Sequence, residues 1–221
     1  MVKDLTVIFL TCNKLPKKWA EFHKQKLLEA TKGFPIITVS REPTDIGINL
    51  IQDGAISVST IYRQILRASK LATTPYIAIV EDDTLYPRDH FVSFRPETFA
   101  YNMTRWNLFT WGEPTYHYKD RATNLTLIAP RELVIKCLEE RYEKHPNGSK
   151  YEGEMGKKMV EDNLGLPHYE SVKWNSTLPV LSLQHVYSID DRENRMVKRR
   201  GFLRAFDIPH WGRAEDILKH W

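Results

Sequence analysis

The sequence runs to 221 residues with a formal charge of +4, which fits one large domain or two small ones, and an α/β core of this size buries roughly 70% of its unfolded surface. Two cysteines, Cys12 and Cys137, fall in a predicted strand and a predicted helix, so a disulfide scaffold and a four-cysteine zinc site are excluded and a reducing compartment is expected. No apolar segment approaches the roughly 18 residues that span a bilayer, and no N-terminal apolar run follows a basic flank, so a soluble, cytoplasmic protein is expected.

Taken in order, Leu5 to Asn13 is an apolar strand ending in polar residues. Pro16 opens a helix that places Trp19, Phe22, Leu27 and Ala30 on one face, and Gly33 stops it. Pro35 to Ser40 reads as a second strand leading into Arg41-Glu42-Pro43, and two strands joined by a helix argue for a parallel sheet. Residues 44–56, with Gly47 and Gly54, read as a loop. From Ser57 to about Ala72 an amphipathic helix presents Ile61, Ile65, Ala68 and Ala72 at helical spacing. It delivers the chain into Tyr76–Val80, a strand apolar enough to be buried on both faces.

Three carboxylates, Glu81-Asp82-Asp83, follow where that strand emerges. Ligands collect at the carboxyl ends of strands in open α/β sheets, and a self-repelling acidic cluster there suggests a divalent cation carrying a diphosphate. No glycine-rich phosphate loop follows the first strand, which argues against a dinucleotide fold and a P-loop ATPase.

Beyond the triplet, residues 85–96 read as a loop or short helix, and Arg105–Trp111 and Asn124–Ala129 as strands around an aromatic loop containing Trp111, Tyr116, His117 and Tyr118. Pro130 to Lys144 is predicted helical, with Leu133, Val134, Cys137 and Leu138 as its buried stripe. A breaker-rich loop at 145–149 leads to a flexible acidic segment, Glu152-Gly153-Glu154-Met155-Gly156, and a helix through Asn163. Leu178 to Leu183 is a last apolar strand ending at Gln184-His185. The tail carries Arg192, Arg195, Lys198, Arg199, Arg200 and Arg204, a footprint for phosphate on a nucleotide or on nucleic acid.

The strand end Leu10-Thr11-Cys12-Asn13, the helix carrying Tyr62-Arg63-Gln64, the run Tyr76 to Pro87, the Tyr101-Asn102…Arg105-Trp106 segment and a late strand delivering His185 together resemble the GT-A class of nucleotide-sugar glycosyltransferases, in the broad family-2-like group of bacterial and phage type. The resemblance implies a single Rossmann-like GT-A domain with a mostly parallel central sheet flanked by helices, divided into a nucleotide-binding half (1–83), an acceptor half (84–186) and a basic C-terminal tail (187–221). It also implies a metal-dependent transferase of a hexose or pentose from a nucleotide-diphosphate sugar, a UDP-sugar above all. Within that class the acceptor stays open: a glycan, a small molecule or, on the basic charge and exposed aromatics alone, a hydroxymethylated base in phage DNA.

By that resemblance the triplet is an Asp-x-Asp motif with Glu81 in its first position. Asp83 would ligate manganese or magnesium, Glu81 and Asp82 would contact the ribose, sugar or metal, and His185 would complete the protein ligands. Thr11, Asn13, Ser40 and Glu42 would surround the nucleoside, with Tyr62 and Gln64 nearby. Arg192, Arg195, Lys198 and Arg199 would fold over the diphosphate leaving group. If the reaction inverts the anomeric centre, Glu154 is the first candidate for the base, with Glu152 and Asp162 behind it. Two other readings are a nucleotidyltransferase and a non-catalytic nucleic-acid-binding or sugar-binding module.

Overall fold

The computed structural model describes residues 4–187 and 203–221. The chain enters through β1 (Leu5–Leu10), α1 (Lys17–Ala30), β2 (Ile36–Ser40), β3 (Ile48–Ile51), α2 (Val58–Leu71) and β4 (Tyr76–Glu81). Next come β5 (Thr84–Leu85), α3 (Arg88–Val92), β6 (Phe99–Asn102), β7 (Arg105–Phe109), β8 (Tyr116–Tyr118) and, past a 3-10 turn at Asn124–Thr126, β9 (Leu127–Pro130). Helices α4 (Arg131–Lys144) and α5 (Lys158–Leu164) precede β10 (Ser171–Trp174) and β11 (Val180–Gln184). The second described stretch holds β12 (Arg204–Ala205), β13 (Asp207–Ile208), β14 (Gly212–Arg213) and α6 (Ala214–Leu218).

Seven strands form a sheet in the order β10-β6-β9-β4-β1-β2-β3. Its neighbouring pairs are parallel except those of β9, which runs against both β4 and β6. This is the Rossmann-like, mostly parallel α/β architecture that the sequence leads one to expect. Helices cover both faces, which is why β1 and β4 read as unbroken apolar runs. Ile8, Leu10, Ile77 and Ile79 pack with Tyr62, Ile65 and Ala68 of α2 and Val134 and Leu138 of α4. Val7, Phe9, Ala78 and Val80 point the other way, toward Leu27 and Ala30 of α1 and Phe91 of α3. Fully burying each large aliphatic or aromatic side chain contributes about 1.5–3 kcal/mol.

A second sheet runs in the order β12-β8-β7-β11-β5. Asp82 and Asp83 form the turn between β4 of the first sheet and β5 of the second. β5 pairs antiparallel with β11, Thr84 opposite Ser182, and the Leu183 N–H donates to the Asp83 carbonyl at 2.8 Å. The acidic triplet thus sits on the seam between the sheets, and β11 ends beside it.

Several short elements depart from the sequence expectation. The loop expected over 44–56 contains β3, a half-exposed edge strand defined by its pairing with β2. Residues 85–96 do hold α3, the short helix that is one of the two readings, but open on the strand residue Leu85, and the aromatic loop contains β8, in which Tyr116 and His117 are buried. The strand expected at 124–129 begins only at Leu127. Asn124 lies in the 3-10 turn and donates through Nδ2 to the Tyr62 hydroxyl at 2.5 Å. No helix among the described residues is long and apolar enough to cross a membrane.

The acidic segment 152–156, expected to be flexible, is instead clamped. The Tyr101 hydroxyl donates to the Met155 carbonyl at 2.6 Å and Arg141 Nη1 donates to the Gly153 carbonyl at 3.2 Å. Gly156 follows with φ +74°, its N–H donating to Glu161 Oε1 at 2.9 Å. A Cβ there would lie 2.9 Å from the Glu170 carbonyl and 3.0 Å from the Phe99 ring. Gly156→Ala is therefore expected to destabilise the fold by about 3 kcal/mol, combining left-handed strain with overpacking, read as a lower midpoint in urea unfolding.

Candidate active site

The chain passes from β1 outward to β2 and β3, then returns to the opposite side of β1 as β4, so the connections diverge between β1 and β4. Such a switch point opens a crevice at the carboxyl ends of the strands. Leu10 and Glu81 are in register there. A cleft of about 150 Å³ occupies the position, lined by Leu10, Thr11, Cys12 and Leu15 from the end of β1, by Arg41 after β2, by Ile56, Ser57, Thr60, Ile61 and Gln64 of α2 and its approach, and by Glu81, Asp82, Asp83, His185 and Tyr187.

Local chemistry fixes the acidic side chains. The Thr11 hydroxyl donates to Asp82 Oδ2 at 2.5 Å, and the Trp19 indole N–H of α1 donates to the Asp82 carbonyl at 2.8 Å. The Tyr86 hydroxyl accepts from the Glu81 N–H at 3.1 Å and donates to the Leu125 carbonyl at 2.9 Å. Asp83 Oδ1 accepts from the Thr84 hydroxyl at 2.8 Å, and its Oδ2 lies 3.2 Å from His185 Nε2. The His185 ring packs against Trp221, centroids 5.2 Å apart, and its Nδ1 accepts from the Tyr187 N–H at 3.1 Å. With Nδ1 so occupied, Nε2 carries the ring proton and donates to Asp83.

Crowding has an electrostatic consequence. Burial, then the charges of Asp83 and Asp82, pushes the Glu81 carboxyl well above its usual range, and Arg105 only partly offsets them. Burial, then the Asp83 charge, pushes Asp82 up to about 7, against the hydrogen bond from Thr11. Arg105 is itself buried, which lowers it to about 10, with the nearby Arg121 charge acting in the same direction. Its Nε has no hydrogen-bond partner among the described residues. A cluster that disfavours its own ionisation is one that a divalent cation relieves.

The residues fit such a cation in part. A magnesium or manganese ion arriving on a diphosphate needs only one or two protein carboxylates, the remaining positions going to phosphate and water. Asp83 meets that need with an oxygen ligand on the cleft wall. Among the described residues no three His, Cys, Asp or Glu side chains converge as a ready-made metal centre. His185 stands behind Asp83 as its hydrogen-bond donor, and reaches a cation through Nε2 only once its proton has moved to Nδ1 and the Tyr187 N–H has let go.

Of the candidates named from sequence, Thr11, Gln64, Glu81, Asp82, Asp83 and His185 come together in this cleft. Asn13, Ser40, Glu42 and Tyr62 do not line it. Asn13 Oδ1 accepts from the Arg41 and Glu42 N–H groups, which ties two loops together. The Ser40 hydroxyl is buried between the Glu42 carbonyl and Asn49. Tyr62 faces α4, its ring under the Arg141 guanidinium at 4.5 Å, because position 62 lies on the core stripe of α2.

Glu154 pairs with Lys157 at 2.9 Å and Arg121 at 3.9 Å, and its charge is felt at Glu81. Glu152 and Asp162 are used elsewhere. Glu152 accepts from the Ser149 N–H, and Asp162 is exposed on α5 with Lys158 and His168. Arg192, Arg195, Lys198 and Arg199 lie outside the described residues.

Sequence reasoning named Gln64 but missed the rest of the α2 wall, Ser57 and Thr60, and assigned Ile61 to the core stripe alone. Ser57, Thr60, Ile61 and Gln64 stand at i, i+3, i+4 and i+7, a second helical stripe beside the core stripe, and the Ser57 hydroxyl caps the helix by accepting from the Thr60 N–H at 3.1 Å. That spacing was a usable signal. Arg41 and Tyr187 carried none, since only the folding of their loops brings them to the cleft.

No protein-family model and no curated protein matches the chain. Among solved structures, a mannosyltransferase from Pyrobaculum calidifontis, solved with GDP-Man and Mn2+, is similar at 13% identity and TM-score 0.45 over 84% of this chain and 58% of that one. This chain therefore spans little more than half of that mannosyltransferase. A glycosyltransferase involved in glycosylation of the major capsid of PBCV-1 is similar at 10% identity and TM-score 0.45, over 77% of this chain and 81% of the other. A 2-C-methyl-D-erythritol 4-phosphate cytidylyltransferase from Thermus thermophilus is similar at 10% and 0.45, over 76% and 87%. All three TM-scores lie below 0.5, and none bears on what this chain acts upon.

Proposed function

We propose that the protein is a metal-dependent glycosyltransferase that takes a sugar from a nucleotide-diphosphate donor, a UDP-sugar above all, and passes it to an acceptor hydroxyl. The observation that carries this reading is the meeting of Glu81, Asp82, Asp83 and His185 in one cleft at the β1/β4 switch point. The donor lies along residues 1–83 and the acceptor along 84–186. The β1–α1 connection, Thr11-Cys12-Asn13-Lys14-Leu15-Pro16, has no glycine, which favours this reading over a nucleotidyltransferase.

Asp83 holds the cation, which when bound supplies Lewis-acid stabilisation to the departing diphosphate. Thr11 and the Trp19 indole hold Asp82 in place, and Tyr86 holds the Glu81 main chain, so the carboxylates need no rearrangement to receive the donor. Gln64 and Arg41, with Ser57 and Thr60, provide polar groups beside Leu10, Leu15, Ile56 and Ile61 on a wall that suits a nucleoside. Glu154, fixed through the carbonyls on either side of it, takes the proton from the acceptor hydroxyl. The acceptor is a glycan, a small molecule or a hydroxymethylated DNA base.

Calorimetry with UDP, with and without manganese, tests the reading. UDP binding that requires manganese supports it, whereas binding indifferent to the metal removes it. For Glu154→Gln the expected outcome is unchanged manganese-dependent UDP binding with turnover of the UDP-sugar lowered at least 100-fold, the scale of a lost general base. Full turnover in that variant would assign the proton transfer elsewhere.

A further inference from the structure

The flank of α1 that faces away from the donor cleft borders a second cavity, of about 350 Å³, closed by the start of α3 and by the segment from β13 to α6. Among the described residues it shares no lining residue with the donor cleft. Phe22, Tyr86, Trp211 and Ile217 form apolar walls, and Lys26, Arg88 and His210 stand among them, with Glu29 as the one carboxylate. We propose that this cavity is a binding site for the phosphate group of a phosphomonoester.

Arg88 is the anchored cation of the cavity, while Lys26 is partly exposed and His210 is exposed at its rim. Arg88 Nη1 donates to the Ala30 carbonyl at 3.2 Å and the Lys32 carbonyl at 2.8 Å, which closes the end of α1 and anchors the guanidinium at the cavity wall. Trp211 is fixed by its indole N–H, which donates to the Pro179 carbonyl at 2.7 Å, and the His210 ring meets it edge-on at 4.5 Å. His210 is one of two non-glycine residues with positive φ among those described, at +73°. Such a backbone costs free energy that a glycine would avoid, and strain of this kind gathers at functional positions. The imidazole faces Lys26 closely enough for that charge, after partial burial, to lower its pKa. Lys26 pairs with Glu29 at 3.0 Å and lies 6.0 Å from the Phe22 ring centroid, and the Glu29 side chain is 54% exposed. The cavity is therefore net positive, walled by low-dielectric side chains that strengthen its pull on an anion. Aromatic faces beside the charges suit a phosphate ester with a planar substituent.

Inorganic phosphate and phenyl phosphate are titrated by calorimetry into the full-length protein at constant ionic strength, alongside Lys26→Met and His210→Gly. Saturable binding weakened at least tenfold by both substitutions is expected, with manganese-dependent UDP binding unchanged. His210→Gly is also expected to raise Tm, because glycine accepts the backbone that histidine strains. Tighter binding of phenyl phosphate marks an aromatic ester as ligand, and equal binding marks the phosphate group alone; either upholds the site. Absence of saturation by both anions, equal binding in the variants, or displacement of phosphate by UDP with manganese overturns it. Loss of the metal-dependent UDP binding in the wild type alone would remove the transferase reading and leave this site standing.

Discussion

Asp83→Asn is expected to lower manganese-dependent UDP affinity at least 100-fold while leaving the metal-free fold as stable as before or more so. The two effects have opposite signs for one reason. Asp83 adds negative charge to a pair of carboxyls already pushed toward their neutral forms, so removing that charge relaxes Glu81 and Asp82. The same substitution removes the oxygen anion best placed to hold a cation, and a 100-fold loss is about 2.7 kcal/mol. Asparagine keeps the size of the side chain and an acceptor for the Thr84 hydroxyl, so the turn between the sheets is retained. His185→Ala is expected to cost about 10- to 100-fold, the range for a group that orients a ligand through a hydrogen bond. Calorimetry gives the affinities and thermal unfolding gives the stabilities. A variant with lower Tm and full metal-dependent binding would make Asp83 a structural carboxylate.

How much of this was legible beforehand depends on where each signal resides. The β-α-β-α-β order through the triplet was readable because β1, β2 and β4 are buried on both faces and α1 and α2 repeat their apolar residues at helical spacing. The meeting of Asp83 with His185 was inferred only by resemblance, since 102 residues separate them and the pairing of β5 with β11 brings them together. β6 and β10 were missed because each is four residues long and each pairs with a strand far away in sequence, so tertiary pairing decides them rather than local pattern. Tyr62 shows the opposite error. It lies two residues from Gln64, on the helix that lines the cleft, yet residues two apart on a helix face different ways, and Tyr62 is in the core. The clamped acidic segment 152–156 was misread as flexible because glycine and carboxylates suggest a surface turn. Its order comes from Tyr101 and Arg141, residues with no local relation to it.

A second large effect is expected from acid. His90 is fully buried between Tyr86, Phe91 and Trp174, and burial drives its pKa down to about 3 despite the charge of Asp89. Its Nδ1 accepts from Asn102 Nδ2 at 3.1 Å, and its Nε2 has no hydrogen-bond partner among the described residues. His23, against Phe9 and with Nε2 3.0 Å from the Thr84 carbonyl, is lowered to about 4 for the same reason. In the unfolded chain both titrate near 6.5. Folded pKa values below unfolded ones mean that the histidine contribution is complete above pH 6.5, declines as the unfolded state takes up protons below it, and stops declining near the folded values. At pH 5 the cost is about 2 kcal/mol for each histidine. The carboxyls of Glu81 and Asp82 act in the opposite sense, since their raised values let the folded state take up protons first as the pH falls. The wild-type curve alone therefore mixes the two. The difference between wild type and His90→Gln isolates the histidine, because the carboxyl contributions cancel. Glutamine keeps an acceptor for Asn102 but does not titrate. Urea unfolding from pH 8 to pH 4 is expected to show a constant difference above pH 7, shifting in favour of the variant by about 1.4 kcal/mol per unit below pH 6. A difference that stays flat across the whole range would mean that His90 takes up its proton inside the folded core.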